Sequence, residues 1–151
     1  MNPDALLWLA VGGLLATGLA ALGARSLREF SRHGLEEICR RRGAQERFGE
    51  ILRLHERVAL GVQHFLIVAA VLVVATGTAW AWMHVPQLEN RSLPMLLTVV
   101  LVLGLILSAA GIWIPWGIAR LWGEPFLFHT WRIWLLTSEL IAPLVWGARL
   151  I

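Results

Sequence analysis

The chain has 151 residues, 58% of them hydrophobic, with thirteen basic and ten acidic side chains for a net charge of +3. That much apolar surface excludes a soluble domain of this size, and one domain is the natural count. The single cysteine, Cys39, excludes a disulfide framework or a multi-cysteine metal site within one chain.

Ala5–Ala24 is the first of three stretches without Asp, Glu, Lys or Arg; the others are Val58–Met83 and Met95–Ala119. Each has the ~20 residues a helix needs to cross a bilayer. The expected fold is an all-α integral membrane protein, one domain over 1–151 with three transmembrane helices at about 5–24, 58–83 and 95–119. The first stretch has no basic n-region and exceeds the usual length of a signal h-region, so it reads as a retained span. Gly12, Ala16, Ala20 and Ala24 recur along it at four-residue spacing. Such a stripe is a packing face, either within one bundle or across a dimer seam.

All basic residues are arginine, and nine of the thirteen lie in Arg25–Arg57 together with six Glu. Beside a membrane span, such a segment points to anionic lipid as partner, with no nucleic acid. Leu27, Phe30, Leu35 and Ile38 give its first half a broken apolar stripe, and Phe48, Ile51, Leu52 and Leu54 do the same for the second. With Gly43 between them, the spacing predicts two amphipathic helices resting against headgroups, a charged helical pair over 25–57. Cys39, among charged residues, is expected to be an inert thiol. Arginine excess on a short loop marks the cytoplasmic side. The reading is therefore a multi-pass cell (inner) membrane protein with its N-terminus outside and 25–57 in the cytoplasm. Trp8, Trp80 and Trp82 fall at the outer interface in this arrangement, and Trp113, Trp116 and Trp122 at the inner one.

The second span carries Gln63 and His64. His64 is the one histidine well inside a span, a functional candidate for that reason, with a hydrogen bond to a neighbouring helix as the plainer expectation. His55 stands nine residues away, half a turn out of phase and ~13 Å along a helix, so the two cannot share a metal. The short loop His84–Pro94 leads to the third span, which has Gly104, Ser108 and Gly111 on one face. Pro115 interrupts that span. In an α-helix it removes the hydrogen bond to the Gly111 carbonyl, and a carbonyl freed at membrane depth needs another partner. Broken helices with exposed carbonyls bind cations in transporters, although proline kinks also occur in spans that carry nothing. The last segment, 126–151, has His129, Arg132 and Glu139 within ~80° of each other on a helical wheel and Pro143 inside it. It reads as a juxtamembrane helix lying in the interface, with a fourth span as the alternative. Gly123 and Pro125 mark its start, with Pro125 in the first turn.

The order of these parts resembles a known family. An N-out span is followed by Ser31-Arg32-His33 opening a charged helical pair, a second span, a third span broken by proline, then Ile118-Ala119-Arg120 and a Trp-rich helix ending Ala142-Pro143-Leu144. This resembles the transmembrane domain of the CNNM/CorC family of magnesium and cobalt exporters, over roughly Leu7 to Leu150. The resemblance implies a dimeric three-span domain with a belt of juxtamembrane helices. It also implies a role in divalent-cation transport or its regulation, and a cytosolic nucleotide-binding partner region.

The ion-site motifs depart from the family. A polar, serine-containing end of the first span is here Leu22-Gly23-Ala24-Arg25. An Asn-rich motif of the second span aligns with Gln63, His64 and Ile67. A Gly-Glu pair before the proline is here within Gly111-Ile112-Trp113-Ile114-Pro115, and the lysine after it is Trp116. The remaining metal ligands are Gln63, Ser108 and the Gly111 carbonyl, with Pro115 as the helix break. Mg²⁺ wants about six oxygens, usually with carboxylate help. Three neutral oxygens leave a dehydrated divalent ion without a counter-charge. The alternative is a membrane scaffold or subunit that kept the fold and lost the ion site. No resident cofactor is expected, and Mg²⁺ enters only as a transported ion. The chain carries no Ser/His/Asp set, phosphate loop or paired carboxylates, so it is read as a non-enzyme. The expected partners are the lipid bilayer and either a second copy or a membrane or cytosolic protein.

Overall fold

A computed structural model describes residues 3–84 and 93–148, with no strand among them. The helices are α1 (Pro3–Glu29), α2 (Arg32–Arg41), α3 (Gln45–His84), α4 (Leu93–Ser108) and α5 (Ile114–Ala148), with a π-helical turn, Ala109–Trp113, between the last two. Three helical stretches are long and apolar enough to cross a membrane: Asp4–Glu29, Gln45–His84 and Leu93–Pro143. Residues 85–92 of the expected loop His84–Pro94, and the last three positions of the segment 126–151, lie outside the described residues.

Two helix ends differ from expectation. α1 does not stop at Ala24 but runs on to Glu29, because no proline or capping residue intervenes before Ser31. The second amphipathic helix and the second span are one helix, α3, of 40 residues. Its first thirteen residues therefore project ~20 Å beyond the apolar part at 1.5 Å per residue. Gly43 makes the break between α2 and α3 with φ +62, a left-handed conformation that glycine adopts without steric cost.

α1 and α3 pack antiparallel. Val73 and the Ala69 carbonyl face Gly13 near one end, and the Phe30 ring meets the His55 ring edge-on at 5.6 Å near the other. The buried core lies at the charged end. Leu27, Leu35, Cys39, Ile51, Val58, Val62, Leu127 and Trp131 bury there, drawn from all of α1, α2, α3 and α5. α4 contributes no buried residue. It meets α3 where Leu103 covers Gly77, and an apolar cleft of about 370 Å³ opens between α1, α3 and α4.

α5 bends at Trp122 (φ −134, ψ 17), and the arm after the bend seats on the charged end. Gly123 faces Ser26, Trp134 covers Gly23 and Ser138 covers Gly61. Gly23 and Ser26 are three positions apart on α1, ~4.5 Å of rise, whereas Gly123 and Trp134 are eleven apart, ~16 Å. The arm thus crosses α1 instead of running alongside it. Leu127, Trp131, Trp134, Ser138 and Ile141 face inward, while Ile133, Leu136 and Leu140 stay exposed beside Arg132. Ser26 Oγ and Trp131 Nε1 are buried with no hydrogen-bond partner among the described residues, a cost that the packing around them must outweigh.

A capping interaction fixes where this arm begins. Ser31 is the N-cap of α2, and its Oγ accepts from the Gly34 N–H at 3.2 Å. In a capping box the residue at Gly34's position returns a carboxylate to the cap's own N–H. Here Glu124 of α5 supplies it: the Ser31 N–H donates to Glu124 Oε1 at 3.2 Å. A Cβ on Gly34 would lie 3.5 Å from the Glu124 side chain, an ordinary van der Waals contact.

The small-residue stripe of α1 divides between two surroundings. Ala20 is fully buried in the bundle core, and Ala24 packs against that core. Ala16 is half-buried, and Gly12 is exposed with nothing near its Cα hydrogens.

A Cβ on Gly61 would meet the Ser138 Cβ at 2.6 Å and its Cα at 2.7 Å, so Gly61→Ala has to displace backbone. The expected loss is ~1–3 kcal/mol, read as a lowered unfolding midpoint in detergent micelles, with Gly12→Ala unchanged or slightly raised. Equal midpoints for the two variants would contradict the seating of α5 on Gly61. In the same assay Glu124→Ala is expected to cost ~1 kcal/mol, the usual worth of a cap. Glu124→Gln, which keeps an acceptor oxygen, should cost less.

Candidate functional site

Several polar side chains in the apolar stretches are hydrogen-bonded within their own helices. Thr17 donates to the Gly13 carbonyl at 2.7 Å, Thr76 to Leu72 at 2.7 Å and Thr98 to Pro94 at 2.8 Å. His64 Nδ1 donates to the carbonyl of Leu60 at 2.8 Å, its own helix and not a neighbouring one. These bonds occupy the hydroxyl protons and the Nδ1–H of His64, while the hydroxyl oxygens and His64 Nε2 keep their lone pairs.

Pro115 breaks the third span through the π-turn that precedes it. The Ile114 N–H donates to the Ala109 carbonyl, a five-residue step. Pro115 has no N–H to give to a carbonyl of this turn. The Ala110 carbonyl belongs to the same turn. It is turned toward α1, where a Cβ on Gly18 would stand 3.4 Å from it.

Gln63 and Gly111 come together. Both line a cavity of about 310 Å³ at the charged end, with Ala24, Arg25, Arg28 and Glu29 of α1. Ser108, one turn before Gly111, is not among its lining residues. The cavity holds a fixed positive charge: the Arg28 guanidinium donates to Gln63 Oε1. Arg25 pairs with Glu29 at 3.1 Å along the helix. Among the described residues no group of three or more His, Cys, Asp or Glu is placed to hold a metal ion.

Arg25, Arg28 and Glu29 are the residues that sequence reasoning missed as part of this site, because the first span was ended at Ala24. The signal was present. Ala21, Ala24, Arg25 and Arg28 share one helical face, and nothing between Ala24 and Glu29 stops a helix.

Two further clusters lie at the charged end. The Arg42 and Arg47 guanidinium groups stand over the Phe128 ring at 5.2 Å and 4.8 Å. His129 Nδ1 donates to the Pro125 carbonyl, leaving Nε2 to accept from Arg42 at 3.0 Å. On α2, Glu37 accepts from Arg41 and Arg40. The Arg41 hydrogen bond, with the charges of both arginines and the Arg40 hydrogen bond, holds the Glu37 carboxyl below the usual carboxylate range against the opposing effect of desolvation. Cys39 is 1% exposed inside the core, and burial pushes its thiol up despite the nearby Arg47 charge.

No protein-family profile, curated protein or solved structure matches this chain.

A buried, protonated thiol is a poor nucleophile. Cys39 in the folded protein is expected to react with a maleimide on the order of tenfold slower than in the denatured chain, followed by intact-mass shift at neutral pH. Equal rates would place Cys39 at the surface.

Proposed function

We propose that the chain is a multi-pass membrane subunit with a CNNM/CorC-type transmembrane domain, acting as a non-transporting scaffold. In this reading its N-terminus lies outside and the segment 25–57 lies in the cytoplasm, as the arginine bias favours. The arm of α5 after Trp122 rests in the inner interface. Its crossing of α1 and its exposed Ile133, Leu136 and Leu140 beside Arg132 suit a helix lying in the headgroup layer. The exposed tryptophans support the same frame: Trp8 and Trp82 fall at one end, and Trp113, Trp116 and Trp122 toward the other. α4, with no buried residue, is the face offered to a second copy or a membrane partner.

One observation carries the scaffold reading: Arg28 is hydrogen-bonded to Gln63 Oε1 in the cavity that Gly111 lines. Gln63 was the strongest neutral ligand left for a cation, and a guanidinium already uses it. A divalent ion ~4 Å from that charge meets a repulsion of roughly 8 kcal/mol at an effective dielectric of about 20. Exposure of Arg28 screens part of this, and the sign stays unfavourable. The transport reading, with Gln63, Ser108 and Gly111 holding Mg²⁺, draws on the meeting of Gln63 and Gly111 at one cavity.

Mg²⁺ flux into liposomes holding the purified chain and an entrapped dye separates the two. The expected result is flux equal to that of empty liposomes, with the chain shown inserted. Mg²⁺ entry that Gln63→Leu together with Pro115→Ala abolishes would overturn the scaffold reading.

A further inference from the structure

We infer that the chain holds one phosphate oxyanion, that of an anionic phospholipid, in the cleft between the end of α1, the start of α2 and the charged part of α3. The cleft has a volume of about 460 Å³ and is lined by Arg28, Arg32, Phe30, His55, Glu56 and Leu60, with Leu27 and Ala59 at its floor.

Three features mark this cleft. First, Arg28 and Arg32 face it together and, like Arg53 and Arg57, form no ion pair among the described residues, whereas Arg25, Arg40 and Arg41 are bound to Glu29 or Glu37 on their own helices. Arg28 has only the neutral Gln63 oxygen as partner, so its charge remains for an anion. A planar guanidinium presents five N–H donors and still has others to give. Second, the cleft is amphipathic along the expected membrane normal. Arg28 and Arg32 lie past the last apolar residue of the first span. Leu60, 43% exposed, begins an outward-facing apolar strip that continues through Ile67, Val68 and Val71. A phosphate on the arginines would thus leave its acyl chains on that strip. Third, its walls are held in place. The His55 ring packs edge-on against Phe30, and its Nδ1 donates to the Leu52 carbonyl at 2.9 Å.

Glu56 also lines the cleft. Its carboxylate repels the phosphate itself but suits a hydroxyl-bearing headgroup such as glycerol, whose O–H groups it accepts. The shared chemistry is a phosphate ester; the source is a lipid, because the cleft opens onto the apolar strip. This inference rests on the reading of α1 and α3 as spans, and it is independent of whether any cation moves.

The test is the amount of phosphatidylglycerol kept by the full chain through native mass spectrometry, after release from nanodiscs of phosphatidylcholine with a fixed share of phosphatidylglycerol. Each arginine near a membrane surface contributes enough for about a fivefold change in retention. Arg28→Gln with Arg32→Gln is expected to lose bound phosphatidylglycerol by more than that single factor, while Arg40→Gln with Arg41→Gln keeps it. Arg32→Gln alone, at an exposed position that opens α2, gives about fivefold and leaves the Arg28–Gln63 contact intact. Soluble glycerol phosphate at millimolar concentration is expected not to displace the lipid. Equal loss in the two arginine pairs would reduce the effect to general surface charge and overturn the proposal. Displacement by glycerol phosphate would overturn the lipid source in favour of a free phosphate ester. A chain that resists alkaline extraction from membranes yet keeps no phosphatidylglycerol would sink this inference and leave the membrane reading standing.

Discussion

The architecture depends on a close seat between the arm of α5 and the charged end of the α1–α3 pair. Two glycines make that seat. Gly23 lies under the Trp134 ring and Gly61 under Ser138, each at a distance that no Cβ would permit. Once the arm is down, Leu127 and Trp131 fill the space between Leu27, Leu35, Ile51 and Val58. The core of this protein is therefore not in the middle of the apolar spans but at their charged end. With the apolar stretches read as membrane spans, that location fits how little drives apolar helices together in lipid, whose tails are as apolar as leucine. The hydrophobic effect acts only where water reaches, and the charged end is where helices meet water.

The same end gathers the polar chemistry. Ser31 and Glu124 divide one capping box between two helices 93 positions apart in sequence. Two guanidinium groups share the Phe128 ring. Arg28 reaches Gln63 across the α1–α3 interface. Deeper in, threonines and His64 turn back to carbonyls of their own helices. The contrast is physical: an unsatisfied polar group is costly in hydrocarbon, so groups there close on the nearest carbonyl, while those near water can wait for partners on other helices.

Much of this was legible in the sequence, for reasons that can be named. Apolar runs free of charge mark the spans at about 5–24, 58–83 and 95–119, and the long helices contain them. Gly43 was readable as the break between α2 and α3. The bend into the C-terminal helix falls at Trp122, just ahead of the Gly123 and Pro125 that marked its start. What escaped was continuity: α1 carries its helix five residues past Ala24, and α3 joins a charged half to an apolar half without interruption. A change from apolar to charged residues marks where the environment changes, and a helix does not have to stop there. That one misplacement hid Arg28 from the site. The proline of the third apolar stretch was legible as a helix irregularity, and the structure places a π-turn, Ala109–Trp113, just before it.

The sequence by itself determined that this is a helical chain with three stretches able to cross a membrane, that its charge is concentrated in one segment, and that Gln63, Ser108 and Gly111 offer only neutral oxygens. These are properties of length, periodicity and side-chain type. Only the tertiary structure decided which of those oxygens meet and what else meets them. Gln63 and Gly111 share a cavity, Ser108 does not line it, and the guanidinium of Arg28 is already on the Gln63 oxygen. Such a meeting depends on the register between α1 and α3 and on the π-turn before Pro115. The register is set by side chains packing across helices, and no local pattern of residues encodes that.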